Sequence, residues 1–144
     1  MTKIDPKLAQ RVWQRVQGEA SVQEAPQFQT LIYREQELAS ACRRLATALP
    51  RKAMFLEKIA DAARARAVCL RGMGYLAQGD RAKTAVPAKK TESVESVLRS
   101  CCLKCANAIT EYDRRGDDPQ YGCIFSQMAQ EHRAHYRLFL ELLG

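Results

Sequence analysis

Four segments of this chain repeat an apolar residue every three or four positions, the spacing that places side chains on one face of an α-helix. The four stripes are Phe28, Leu31, Glu35, Leu38, Cys42, Leu45 and Leu49; Leu56, Ile59, Ala63, Arg66, Leu70 and Met73; Val94, Leu98, Cys101, Cys105, Ala108 and Tyr112; and Phe125, Met128, His132, His135, Phe139 and Leu142. No segment shows the period of two that marks a half-buried strand. The pattern predicts an all-α protein whose four amphipathic helices bury their stripes against one another.

Proline and glycine residues divide the chain into these helices. The predicted elements are a short N-terminal helix opened by Asp5 and Pro6, a connector over residues 19–26, and helices over residues 26–49, 51–78, 92–115 and 119–144. The turns within each helix pair are short, and residues 79–93 form the longest predicted loop. We therefore predict a short helix and connector over residues 1–26 and an antiparallel four-helix bundle over residues 27–144.

Length and composition exclude several other classes. With 144 residues, 47% of them hydrophobic, the chain can build one domain with a sizeable core. No apolar run is long enough to span a bilayer and the N-terminus lacks a signal-peptide core, so we expect a cytoplasmic protein with reduced thiols. The formal charge of +7 would suit nucleic acid. The basic residues are mixed with acidic ones and no aromatic platform interleaves them, which argues against that partner.

Polar side chains interrupt the stripes near the middle of the helices. Glu35 interrupts the first stripe, Arg66 the second, and His132 and His135 the fourth, while Cys105 holds the matching position on the third. A buried charge is costly unless it is paired or bound to a metal. We therefore expect these side chains to meet at one depth of the bundle.

Two arrangements of these side chains are open. In the first, Glu35, Cys105, His132 and His135 form a tetrahedral ligand set for one divalent transition metal such as zinc, iron or manganese. In the second, Arg66 makes a bidentate pair with Glu35, supplies the positive charge itself and leaves the bundle free of metal. The direction of the arginine side chain decides between them.

The helix sequences resemble those of the ferritin-like superfamily and, within it, the rubrerythrin-type domains. LIYREQELASACRRL is similar to the first helix of the family and places Glu35 at its lone-Glu position. FLEKIADAARARAVCLRGM is similar to the second helix and DPQYGCIFSQMAQEHRAHYRLFLELLG to the fourth, and LRSCCLKCANAITEYDRR of the third keeps Tyr112. The resemblance covers residues 27–144 and implies a ferritin-like bundle. In that family, each helix pair supplies one Glu and one Glu-x-x-His to two metal ions.

Most of the family's metal ligands are replaced in this chain. Two of the six ligand positions keep the family residue, Glu35 and His135. The other four carry different residues: Ala63, Arg66, Cys105 and His132. Glu131 lies one position away from the stripe, about 100° around the helix.

The resemblance with these replacements implies a degenerate bundle protein that has lost diiron oxidoreductase activity and works as a non-catalytic scaffold or binding protein. The alternative is a metalloprotein that holds one transition metal in the bundle core and has a redox or peroxide-related role. Relatives of this family often pair, which makes a homodimer compatible with the resemblance. The sequence identifies no other protein partner.

Overall fold

The computed structural model describes the backbone of residues 19–78 and 92–144 and the side chains of residues 28–77 and 92–144. These residues form four long helices: α1 (Glu19–Ala48), α2 (Ala53–Gln78), α3 (Val94–Arg114) and α4 (Gly122–Leu143). No strand occurs in the described ranges, and the all-α prediction is confirmed. The predicted N-terminal helix lies outside the described residues, as does most of the predicted loop over residues 79–93. Within the described part of the chain, no helix is long and apolar enough to cross a membrane.

Helix α1 begins earlier than the sequence predicts. Residues 19–26, predicted to be a connector, form its first two turns, and Pro26 lies inside the helix. The connector prediction is wrong because it gave weight to the proline, whereas Glu, Ala and Gln around it favour helix. The predicted boundary between residues 26 and 27 consequently falls within one continuous helix.

The two turns within the helix pairs are short, as predicted. Pro50 opens a 3-10 turn, Pro50–Lys52, that leads directly into α2. Between α3 and α4, the Asp118 carboxylate accepts hydrogen bonds from the backbone N–H groups of Gln120 and Tyr121, each at 2.8 Å. Because of this capped turn, α4 begins at Gly122, three residues beyond the predicted start at Pro119.

Gly122 is required by close backbone packing at this turn. A Cβ atom at this position would overlap the backbone carbonyl of Gly116. Any larger residue would therefore force the turn to move.

Two apolar clusters define how the four helices run. One cluster combines the C-terminal half of α1 and the end of α4 with the N-terminal halves of α2 and α3. The other combines the N-terminal halves of α1 and α4 with the C-terminal halves of α2 and α3. Thus α1 and α4 run in one direction and α2 and α3 run in the other, so α1 is antiparallel to α2 and α3 is antiparallel to α4. The end of α2 and the start of α3 consequently lie at opposite ends of the bundle.

A buried polar layer separates the two apolar clusters. The buried polar or charged residues among those described are Glu35, Arg66 and His132, which are 2%, 3% and 1% exposed. On α1 the polar layer lies between Ile32 of one cluster and Leu38 of the other. Three of the polar interruptions of the stripes, Glu35, Arg66 and His132, thus meet at one depth of the bundle, whereas Cys105 belongs to an apolar cluster.

Candidate functional site

The Glu35 carboxylate is the centre of the polar layer. Its Oε2 atom accepts hydrogen bonds from Arg66 Nε at 2.7 Å and from the Tyr112 hydroxyl at 2.8 Å. His132 Nε2 lies 3.0 Å from the same oxygen and donates its proton, because an ionised carboxylate only accepts. One oxygen of α1 is therefore joined to all three other helices.

The Arg66 guanidinium points into the bundle and joins two carboxylates. Its Nε donates to Glu35 and its Nη1 donates to Glu131 Oε1 at 2.8 Å. Since the two nitrogens serve different carboxylates, the pair with Glu35 is a single contact and not the bidentate pair of the second predicted arrangement. The side chain of Glu131 is 37% exposed, so this second ion pair closes the layer toward solvent.

Tyr112 and Glu131 are the two members of this network that the sequence analysis did not assign to the polar layer. Tyr112 was expected to be a core residue, and its ring does pack on Phe125 with centroids 6.0 Å apart. A buried phenol hydroxyl also needs a hydrogen-bond partner. This requirement could have identified Glu35 as the acceptor for Tyr112. Glu131 lies off the stripe, but a long arginine side chain can reach it.

The network keeps Glu35 in its charged form. Burial alone would raise the pKa of this carboxyl, but the hydrogen bond and charge of His132 and the charge and hydrogen bond of Arg66 outweigh it. The pKa of Glu35 therefore lies below its usual value of 4.5. Burial and the neighbouring Glu35 carboxylate raise the pKa of Tyr112 well above 10.0, which keeps its hydroxyl a donor.

The predicted metal ligands are only partly brought together. Glu35 and His132 are in contact, and the rings of His132 and His135 meet edge to face with centroids 6.0 Å apart. Cys105 is fully buried in an apolar cluster, and burial raises the pKa of its thiol. In the described ranges, no group of three or more His, Cys, Asp or Glu side chains is arranged to hold a metal ion.

A small cavity lies beside Glu35 between α1 and α3. Its volume is about 10 Å³, and it is lined by Leu31, Arg34, Glu35, Leu38, Lys104, Ala108, Tyr112 and His132. This space holds roughly one water molecule. Glu35 Oε1 is buried and has no protein partner, so a water that donates to this oxygen suits the cavity. An organic substrate does not fit there.

No protein-family model, curated protein or solved structure matches this chain. The assignment of the site consequently rests on the chemistry of its own residues.

The half-buried His135 predicts a loss of stability in mild acid. Burial, followed by the charges of Arg66 and His132, lowers the pKa of His135 from 6.5 to about 4, although Glu35 opposes the shift. The unfolded chain therefore binds more protons than the folded chain between these two values. We expect the free energy of unfolding to fall by about 2–3 kcal/mol as the pH drops from about 6.5 to about 4. Urea unfolding followed by circular dichroism across that range measures this change.

The matched variant for this prediction is His135→Leu. It removes the titrating group and the buried Nδ1 atom, which has no protein partner. Between pH about 6.5 and about 4, the free energy of unfolding of this variant should change by much less than that of the wild type. An equal slope in the wild type and the variant would show that another group is responsible.

Proposed function

We propose that this protein is a degenerate relative of the rubrerythrin-type ferritin-like proteins, in which a buried arginine replaces the metal and the bundle serves as a non-catalytic scaffold or binding protein. The observation that carries this proposal is the 2.7 Å contact between Arg66 Nε and Glu35 Oε2, with both side chains at most 3% exposed. A guanidinium stays charged at all physiological pH values. It supplies the positive charge that metal ions supply in the ferritin-like family.

The topology supports the family assignment. Ferritin-like bundles have one long crossover connection, in contrast to simple up-down-up-down bundles, in which all connections are short. In this chain α2 and α3 run in the same direction, as a crossover between the pairs requires. Three of the six family ligand positions, those of Glu35, Arg66 and His132, share one layer.

The residues of the layer do not fit a dinuclear centre. Two metal ions need bridging carboxylates. Glu35 is the one buried carboxylate among the described residues. Its Oε2 atom already accepts hydrogen bonds from three donors. Arg66 is held in the layer on its other side by Glu131. A cation beside this guanidinium would be repelled, which supports the metal-free proposal.

The closed interior supports a non-catalytic role. The cavity beside Glu35 has room for about one water molecule, and the Glu35, Arg66 and His132 side chains are almost completely shielded from solvent. A substrate would have no route to the polar groups without separation of the helices. Recognition of a partner is therefore expected to use the exterior of the bundle.

The alternative proposal is a single metal ion held by Glu35, Cys105, His132 and His135. The observation that favours it is the pair of buried Nδ1 atoms on His132 and His135, neither of which has a protein partner. These ring nitrogens are capable of metal ligation when neutral. The arrangement requires Arg66 to leave the layer.

Metal analysis of protein purified without an affinity tag separates the two proposals. We expect less than about one metal per ten chains, both as purified and after incubation with zinc, iron(II) or manganese(II) followed by desalting. The reason is that Arg66 occupies the position at which a cation would meet Glu35. Elemental analysis by mass spectrometry measures the content. Stoichiometric metal in the wild type, lost on His132→Ala but retained on Cys123→Ser, would overturn the metal-free proposal.

A further inference from the structure

Four cysteines are buried in one apolar cluster of the bundle. Cys42 comes from α1, whereas Cys101, Cys102 and Cys105 come from α3. All four are free thiols. Cysteine often fills a core position simply as a small apolar side chain. A chemical role for any of these thiols therefore needs a contact that core packing alone does not explain.

The thiols of Cys42 and Cys101 are in direct contact between α1 and α3. They form a hydrogen bond with each other, and both side chains are 0% exposed. The two helices pack closely, with Cα atoms of facing residues within 8 Å of each other. A disulfide requires Cα atoms about 4.4–6.8 Å apart, which helices packed this closely can provide. The contact thus places two oxidisable groups side by side on different helices.

The two thiols of this pair are not equivalent. The hydrogen bond from Cys42 lowers the pKa of Cys101 more than burial raises it. The positive charges of the half-buried Lys104 and Arg44 lower this pKa further, whereas Glu92 opposes them. The same hydrogen bond, together with burial, raises the pKa of Cys42. Cys101 is therefore the thiol of the pair that more readily forms a thiolate, the form that reacts with an oxidant.

We propose that Cys42 and Cys101 form a redox site, in which a hydroperoxide oxidises the two thiols to a disulfide between α1 and α3. Both sulfur atoms are shielded from solvent, so the oxidant must be small and uncharged. Hydrogen peroxide meets both conditions. The inference does not depend on the proposed scaffold function or on whether the polar layer is free of metal.

The reaction takes two steps, which together consume one hydrogen peroxide and release two water molecules. In the first, the Cys101 thiolate attacks one peroxide oxygen and the O–O bond breaks. Cys101 becomes a sulfenic acid, and the departing hydroxide takes up the proton that the thiol had released. In the second, the Cys42 sulfur attacks the sulfenic sulfur, an S–S bond forms, and the hydroxyl group leaves with the Cys42 proton as water. The two sulfurs lose two electrons, which the peroxide gains.

The disulfide would join the two helix pairs of the bundle. Cys42 belongs to the α1–α2 pair and Cys101 to the α3–α4 pair, and the chain between them includes all of α2. A disulfide that closes a long loop stabilises a protein mainly because it restricts the unfolded chain. We therefore expect oxidation to raise the melting temperature by at least about 5 °C.

Mass spectrometry of the full chain treated with hydrogen peroxide tests the site. A Cys69→Ser/Cys123→Ser background removes the two cysteines that are not buried. The folded protein is expected to lose two hydrogen atoms per chain, and peptide mapping is expected to find Cys42 linked to Cys101. Dithiothreitol in urea should restore the reduced mass. Circular dichroism verifies that the protein is folded during oxidation.

Alanine variants in the same background assign a role to each sulfur. Cys42→Ala and Cys101→Ala should each abolish the disulfide. In Cys42→Ala the sulfenic acid should persist on Cys101, where dimedone added on unfolding labels it, whereas Cys101→Ala should give no label on Cys42. Cys105→Ala is the matched control, because Cys105 is also 0% exposed on α3, and this variant should keep the link.

Three results would overturn the proposal. The first is a folded protein that keeps both thiols at a peroxide concentration that fully oxidises the exposed Cys123 of the wild type, because Cys42 and Cys101 would then only fill the core. The second is a link that forms only in urea or that joins Cys42 to Cys105 instead. The third is an oxidised protein that melts no higher than the reduced one, which would show that the native packing does not accommodate the disulfide.

Discussion

Glu35→Ala is expected to lower the free energy of unfolding by about 3–5 kcal/mol at neutral pH. Removal of this carboxylate leaves Arg66 buried with only its outer partner Glu131, and it deprives Tyr112 and His132 of their common acceptor. Unpaired buried donors and charges retain their full desolvation cost. Urea unfolding at pH about 7, where Glu35 is ionised in the folded protein, measures the change.

A rescue variant separates the ion pair from simple packing. Glu35→Leu combined with Arg66→Met removes both charges and keeps apolar volume in the layer, so much of the lost stability should return. The control is Glu95→Ala, which breaks the exposed pair with Arg99 and should cost less than about 1 kcal/mol. An unchanged unfolding midpoint in Glu35→Ala would contradict a buried, energetically coupled pair.

The sequence predicts the helices and the depth of the polar layer because both follow from spacing along single helices. The stripe positions from Leu56 to Met73 are all buried, including Ala63 and Arg66. A buried arginine in an apolar stripe needs a counter-charge, and Glu35 was the available partner on the neighbouring stripe. Helix periodicity and the cost of burying a charge were therefore sufficient to predict the helices and the depth of the polar layer.

The details of the polar layer depend on distances between helices, which spacing within one helix does not determine. Glu131 meets Arg66 because the long arginine side chain spans the distance between α2 and α4. For the same reason, the single contact between Arg66 and Glu35, in place of a bidentate pair, could not be predicted. The early start of α1 reflects a different limit. A proline near a helix end is a weak boundary signal when strong helix formers surround it.

The proposed ferritin-like assignment predicts that introducing the family's ligands at Ala63, Arg66, Cys105 and His132 gives the bundle two bound metal ions. The variant A63E/R66H/C105E/H132E would carry one lone Glu and one Glu-x-x-His in each helix pair, the ligand set of ferritin-like proteins. Ala63 and Cys105 are both 0% exposed, so new carboxylates at these positions face the core and need a cation. Without metal the variant should unfold more easily than the wild type. With iron(II) or manganese(II) at about 100 times the dissociation constant, each independent site should return about 2.7 kcal/mol.

The control for this redesign is A63E/C105E/H132E, which keeps Arg66. The retained guanidinium occupies the centre of the layer, so this variant should bind fewer than two metal ions even though it carries three of the four new ligands. Metal stoichiometry and the metal-dependent rise in melting temperature are the two measurements. If the full variant is folded by circular dichroism but binds no metal, the six positions do not converge, and the helix register differs from that of the ferritin-like family. If both variants bind two ions equally well, Arg66 does not exclude the cation, and the metal-free proposal loses its physical basis.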